Sequence, residues 1–507
     1  MTSEELKTYQ KLSTMGKETA VLKGISSLLE WDQETYMPEN SSAARASQLE
    51  LVSGLIHKTE TNKRFASLLS QLIHLESGKI IAKTLSQAQK SALKEWRRSY
   101  LHATKLPTRF VKEFAKLTSN SMHIWAQAKQ ENSFKKFAPY LKRIIEMSRE
   151  KAEYLGYKEH PYDALLDQFE PHMTTKSVQA LFSELKKPIA DLLKKISSKK
   201  VLDTSFLKGD FSHETQVQAG LYFLKQMNYD FKKGRLDISS HPFSISMHPD
   251  DSRITTRIDP HNFMSNISAC MHEYGHALYE MGLPAEYFGT PLCEPISLGI
   301  HESQSRFWET RIGQSKPFWS AYFPYLKETF GEQLTKTSLD MFYKGINLVE
   351  PSFIRTDADE VTYSLHVILR FDLEYALIEG SLKVEDIPEA WNAKMQEYLG
   401  ITPKTDQEGC LQDVHWSMGS FGYFPSYTLG NLYASHIFLG FERDFPDWEE
   451  RIAKKDLSFI RDWLKINIHT HGKHYSSIEL VEKVAGSSFS AKAFINYLQS
   501  KYSEIYR

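Results

Sequence analysis

The residues of this chain best equipped for chemistry are two histidines four positions apart with a glutamate beside the first, His272-Glu273-Tyr-Gly-His276. On a helix, positions i and i+4 share a face, so both imidazoles reach one ion at about 2.0–2.1 Å. Glu273 sits beside that face, where its carboxylate can hold a water and take its proton. The chemistry implied is hydrolysis by a metal-polarised water; the bland alternative is two surface histidines on an ordinary helix. The flanks support a helix, because Ala277, Leu278 and Met281 continue the apolar period before Gly282 and Pro284 end it.

A catalytic zinc takes three protein ligands and keeps a position open. A third histidine six residues on is absent, since residue 282 is Gly, so the third ligand comes from a later helix. The helical stretch His301-Glu302-Ser-Gln-Ser-Arg-Phe-Trp308 offers Glu302, folded back across the Pro291–Pro295 loop. Glu280 and Glu309 are rivals. Glu280 shares the face of His276, but three ligands on consecutive turns leave poor room for an open position. Glu302 is favoured.

The elements that must position these groups are mostly helical. Apolar residues recur at three and four positions over 15–30, 43–57, 83–130, 136–155 and 175–197, with charged faces between. Thr174 or Thr175 can cap the last run, and Pro107 interrupts the third. One stretch has a period of two: His241–Met247 alternates Phe243, Ile245 and Met247. A turn at His248–Asp251 leads into Ser252–Asp259, which predicts a β-hairpin just upstream of the metal motif. No repeat and no low-complexity linker divides the chain, so residues 1–507 read as one mainly α unit.

Composition removes several function classes. The 507 residues carry 62 basic and 63 acidic side chains, without the basic excess of a nucleic-acid binder. The lysines at 194, 195, 199 and 200 read as a solvated helix end. The stretch Met1 to Lys11 is polar, and no run of eighteen apolar residues exists, so neither secretion nor a membrane span is expected. Three cysteines, Cys270, Cys293 and Cys410, form no C-x-x-C pair and imply no disulfide framework; a cytoplasmic, reducing compartment is expected. The G-x-S-x-G of serine hydrolases and the phosphate-binding G-x-x-x-x-G-K-[ST] are both missing.

The chain resembles the carboxypeptidase Taq family of zinc metallocarboxypeptidases. The resemblance rests on His241-Pro-Phe243, Asp251-Ser-Arg253-Ile-Thr255, His272-Glu-Tyr-Gly-His276 and His301-Glu-Ser-Gln304. It continues through Ile354-Arg355-Thr-Asp-Ala-Asp359 and Gly409-Cys-Leu-Gln412-Asp413-Val-His415-Trp416, and Trp31-Asp32 with Met37-Pro38 near the start. It implies a two-lobed helical fold of the neurolysin and angiotensin-converting kind around a deep groove, usually as a homodimer. It also implies single residues released from the C-termini of short peptides, with broad preference and reluctance at proline. The implied metal is zinc, for which cobalt often substitutes; its ligands carry over as His272, His276 and Glu302, with Glu273 as general base.

A carboxypeptidase must recognise a free carboxylate, which a planar guanidinium does bidentately. Arg355 is the favoured clamp; otherwise it forms a buried salt bridge to Asp357, Asp359 or Glu360. Arg253, held by Asp251 on one strand face, can close the groove end together with the His241 motif, and the hairpin edge can pair with substrate backbone. The oxyanion donor is sought in Tyr423 first, then His415, with Tyr427 of the same Gly422-Tyr423-Phe-Pro-Ser-Tyr427 stretch. The cluster His469-Thr-His471-Gly-Lys-His474 resembles a second metal site but reads better as cationic histidines at a helix C-terminus. The competing functions are a zinc endo-oligopeptidase without a carboxylate clamp and a silent peptide-binding protein. The intact Glu273 argues against the latter.

Overall fold

The computed structural model describes residues 3–200 and 202–507, so the first two residues of the polar stretch Met1 to Lys11 lie outside the described part. The helical periodicity is reproduced, with longer ends. The run 15–30 is the middle of Glu4–Thr35, 43–57 becomes Ser42–Glu60, and 136–155 becomes Phe134–Leu155. Pro107 divides the third run into Gln87–Lys105 and Thr108–Gln130: it stands in extended backbone, φ −61° and ψ 140°, immediately before the second helix, and biases Leu106 before it away from helical conformation. Thr174 caps Thr175–Ser197: its hydroxyl accepts from the Ser177 N–H at 3.2 Å, a bond worth about 1 kcal/mol.

The first two helices pair antiparallel, joined by Thr19 with Thr59 at 2.9 Å and by Arg45 with Asp32 toward the other end. The first helix, with the Leu69–Ile73 segment and the helix Gln87–Lys105, encloses a small apolar core around Tyr9, Leu12, Ile73, Leu93 and Trp96. The larger core is separate and runs from Ala128 to Tyr506.

The expected hairpin is present but trimmed, and a third strand joins it. Strands β1 (Leu236–Ile238), β2 (Ser244–His248) and β3 (Asp251–Thr256) lie in the order β1-β3-β2, with β1 parallel and β2 antiparallel to β3. The predicted ranges 241–247 and 252–259 overrun. Pro242 has no N–H to give to a ladder, and after Thr256 the chain turns into the helix Phe263–Gly282. Three residues are too few for β1 to show a period of two. Ile254 and Thr256 of β3 are fully buried, and the Thr256 hydroxyl donates to Asn266 Oδ1 at 2.8 Å. The sheet is thereby fixed to the first turns of the helix that carries the metal motif. Among the described residues no helix is long and apolar enough to cross a membrane.

Candidate metal centre

His272 and His276 lie on the helix Phe263–Gly282, and Glu302 lies on Leu298–Arg306. Among the described residues these three form the one group of metal-ligating side chains whose donor atoms all fall within 4.8 Å of one another. Glu302 Oε2 is 3.6 Å from His272 Nε2 and 3.4 Å from His276 Nε2. Donors about 2.0–2.1 Å from a tetrahedral zinc stand about 3.3–3.4 Å apart, so two imidazoles and a carboxylate at these separations fit that ion.

Two glycines let Glu302 come this close. A Cβ on Gly275 would stand 2.4 Å from the Gln304 carbonyl oxygen, so the motif helix and the Glu302 helix touch backbone to backbone there. On the other side, Gly430 of the helix Pro425–Asp444 leaves room for Glu302, whose Cγ would lie 2.5 Å from a Cβ at that position. Glu302 is clasped between the two. Directly after its helix the chain widens into a π-helical turn, Phe307–Ile312, a distortion that often marks functional sites and that the sequence does not announce.

The rival acids Glu309 and Glu280 lie outside the group of three and are hydrogen-bonded to histidines instead. Glu309, in the π turn, accepts from His272 Nδ1 at 2.9 Å. His276 Nδ1 lies 2.6 Å from His301 Nδ1, and His301 Nε2 lies 2.9 Å from Glu280 Oε1. With protons on His276 Nδ1 and His301 Nε2, this chain ends on a carboxylate and leaves His276 Nε2 free to ligate. Arg306 Nη1 donates to Glu309 at 2.7 Å and its Nε to Asn431 Oδ1 at 2.8 Å, fixing Glu309 in turn. Burial disfavours charge on His272, yet Glu302 and Glu309 outweigh it and raise its pKa to about 9. Burial together with the neighbouring His301 and His272 lowers His276 to about 4, against the pull of Glu302. Glu273 is 6% exposed, and burial pushes its carboxyl up to about 7, with Glu302 and Glu309 adding to the rise.

Arg355, His415, Tyr423 and Tyr427 come together. Arg355 is 6% exposed and its partner is Asp413, not Asp357, Asp359 or Glu360. Its Nε and Nη2 donate to Asp413 Oδ1 at 3.1 and 2.9 Å, and its Nη1 to the Tyr363 hydroxyl at 3.1 Å. Arg370 Nε holds the other Asp413 oxygen at 2.6 Å. The Arg355 guanidinium lies over the Tyr427 ring at 4.7 Å, and His415 Nε2 is 3.2 Å from the Tyr427 hydroxyl. The His415 and Tyr423 rings are 5.0 Å apart. Burial, reinforced by Arg355 and Arg370, lowers His415 to about 4, so it is neutral near pH 7. Tyr427 and Gly430 are three apart on one helix, so this group stands one turn from the glycine that packs on Glu302.

The hairpin residues form another group. Asp251 accepts from Arg253 at 2.8 and 2.9 Å, and the Arg253 guanidinium lies 4.4 Å over Trp31, which ties the hairpin to the first helix. His241 is exposed, and its carbonyl accepts from the Ser239 hydroxyl at 2.6 Å. The late histidines are not cationic. His469 is buried and neutral, lowered to about 3 chiefly by burial, with Nε2 3.0 Å from Gln304 Oε1. The helix before it ends at Asn467, and burial lowers His471 and His474 as well.

A mainly helical fold presenting two histidines of an H-E-x-x-H helix and a glutamate from a following helix defines a mononuclear metallopeptidase. Comparison with known proteins narrows the class. The model of the Carboxypeptidase Taq (M32) metallopeptidase family matches residues 11–502, and the chain belongs to that family. It is 41% identical to thermostable carboxypeptidase 1 of Thermus thermophilus, covering 98% of this chain and 99% of the relative. It is 40% identical to carboxypeptidase 1 of Bacillus subtilis, covering 99% of each. The structure is similar to that of an M32 carboxypeptidase from Deinococcus radiodurans, with TM-score 0.95 and 36% identity over 99% of each chain. The protein is a metallocarboxypeptidase.

Proposed function

We propose that this metallocarboxypeptidase works with zinc held by His272, His276 and Glu302, releasing one residue at a time from the C-termini of short peptides. The observation that carries the reading is the convergence of those three donors at zinc-compatible separations. When bound, zinc supplies a lowered pKa for water and polarisation of the scissile carbonyl; cobalt, with similar coordination, is expected to substitute. Glu273 takes the proton of the attacking water and delivers it to the leaving amine. Tyr423, beside neutral His415, donates to the developing oxyanion.

Arg355 recognises the terminal carboxylate. Three of its five N–H groups go to Asp413 and Tyr363, which leaves one on each terminal nitrogen for a carboxylate. The Asp413 pair holds the fork in place. Arg253, locked by Asp251 and Trp31, closes the hairpin side of the groove with His241, where the substrate backbone can lie along the strand edge. This reading treats residues 1–507 as one catalytic unit, with broad side-chain preference and poor action at proline. The three buried free cysteines suit a cytoplasmic location. A homodimer is expected from the family and is checked by light scattering.

The test is a mass-spectrometric time course on a short free-acid peptide, with and without a chelator. A ladder losing single C-terminal residues, abolished by the chelator and restored by zinc, is expected. Internal fragments would favour the endo-oligopeptidase, and no cleavage the silent binding protein.

A further inference from the structure

A carboxylate outside the proposed metal centre is buried more completely than any group of the catalytic machinery. Glu170 has no exposed surface. Burying a charged group costs several kcal/mol unless its hydrogen bonds are supplied, and apolar replacements of buried ions are often neutral or stabilising. An apolar residue at Glu170 alone would leave the buried Gly299 N–H and the Tyr433 and Ser477 hydroxyls without this acceptor. What Glu170 does that an apolar residue could not is connect backbone and side chains of three elements.

Its Oε2 accepts from the Gly299 N–H at 3.0 Å, and the carbonyl of the preceding residue, Phe169, accepts from the Leu298 N–H at 3.0 Å. These are the first two N–H groups of the nine-residue helix Leu298–Arg306; the Ser297 hydroxyl takes the third, from Ile300, at 3.0 Å. A carboxylate at this end also opposes the positive pole of the helix. Oε1 accepts from Tyr433 at 3.0 Å and from Ser477 at 2.5 Å, and Ser477 Oγ is 3.0 Å from Ser297 Oγ.

The two helices tied here are the helix that carries Glu302 and the helix that clasps it. Gly299 lies one turn before Glu302. Tyr433 lies one turn beyond Gly430, whose missing side chain accommodates Glu302. One carboxylate is thus hydrogen-bonded to both.

We propose that Glu170 is a positioning residue for the metal centre, fixing the height of Glu302 against His272 and His276 from the buried end of its helix. This rests on the metal-site reading above. Glu170 touches neither metal nor substrate; it acts through the Leu298–Arg306 helix.

The experiment compares Glu170→Ala and Glu170→Gln with the parent for zinc affinity, by chelator competition, and for the visible spectrum of the cobalt-loaded protein. Glutamine can accept from Gly299 and donate to the Ser477 and Tyr433 hydroxyls, which turn to receive it. The alanine variant should bind zinc roughly tenfold to a hundredfold more weakly, as outer-shell losses do, with a shifted cobalt spectrum. The glutamine variant should recover most of both. A folded alanine variant with parental affinity and spectrum would overturn the proposal. If alanine prevents folding, Tyr433→Phe is measured in its place: a weakened site supports the proposal and an unchanged one overturns it. His272→Ala serves as the control. If it binds zinc as the parent does, the metal-site reading itself fails, whereas His272 dependence with indifference to Glu170 removes only this inference.

Discussion

His272 Nδ1 lies 2.9 Å from a carboxylate oxygen of Glu309, while its Nε2 faces Glu302 Oε2 at 3.6 Å; in the proposed site Glu309 therefore orients His272 and Glu302 is the third ligand. The two acids therefore have separable effects. Glu302→Ala leaves the ion with two imidazoles and should abolish stoichiometric zinc binding at micromolar metal. Glu309→Ala keeps all three donors and should weaken zinc by about tenfold to a hundredfold. Chelator competition on both variants checks this; equal losses would put Glu309 among the ligands.

On the other ligand, His301 stands between His276 and Glu280. His301→Ala should weaken zinc within the same tenfold-to-hundredfold range, and Glu280→Gln by less, because a glutamine oxygen still accepts from His301 Nε2. Isothermal titration with zinc gives the order. A larger loss for Glu280→Gln than for His301→Ala would contradict the relay.

The helices and the two metal histidines are legible in the sequence because each is a local pattern: apolar spacing of three and four, and imidazoles at i and i+4. What surrounds them is not local. The preference for Glu302 over Glu280 and Glu309 rests on chain reversal and family resemblance, while the tasks of the two rivals depend on where the π turn and His301 fall. Asp413 as the partner of Arg355 lies 58 positions away, whereas Asp357, Asp359 and Glu360 are near in sequence and were the natural guesses. The late histidines show the same limit: burial lowers all three, His469 against Gln304, and spacing does not encode burial.

Asp413 carries a prediction about stability. Burial opposes its ionisation, but Arg355 and Arg370 overcome this and hold its carboxyl far below the ordinary range. A carboxyl depressed on folding contributes fully above its unfolded pKa, about 3.9, and loses that contribution progressively as pH falls from there toward the folded value. Asp413→Asn leaves two buried guanidiniums uncompensated and should cost about 3–5 kcal/mol in urea unfolding. The gap should stay constant between pH 5 and 8 and shrink below about pH 4. A gap that grows on acidification would contradict the ion pair.

Arg355 distinguishes exo- from endo-cleavage. Removing one buried charge-assisted contact costs about 1.5–3 kcal/mol, on the order of tenfold to a hundredfold in kcat/KM. Arg355→Ala should show that loss on free-acid peptides while zinc stays bound. Amidating the peptide should cost the parent a similar factor, and the two losses should not add, because both delete one interaction. Equal cleavage of amidated and free-acid peptides by the parent would end the clamp assignment.

The central claim is that Glu273 moves the proton at a centre held by His272, His276 and Glu302. Its most direct test is Glu273→Gln, with zinc content and peptide turnover measured on one preparation. The amide keeps the shape of the side chain but cannot take a proton from water. The account predicts one zinc per chain and turnover reduced by at least about a hundredfold, within the range general-base removal produces. A zinc-replete Glu273→Gln variant that releases C-terminal residues at near the parental rate would contradict it.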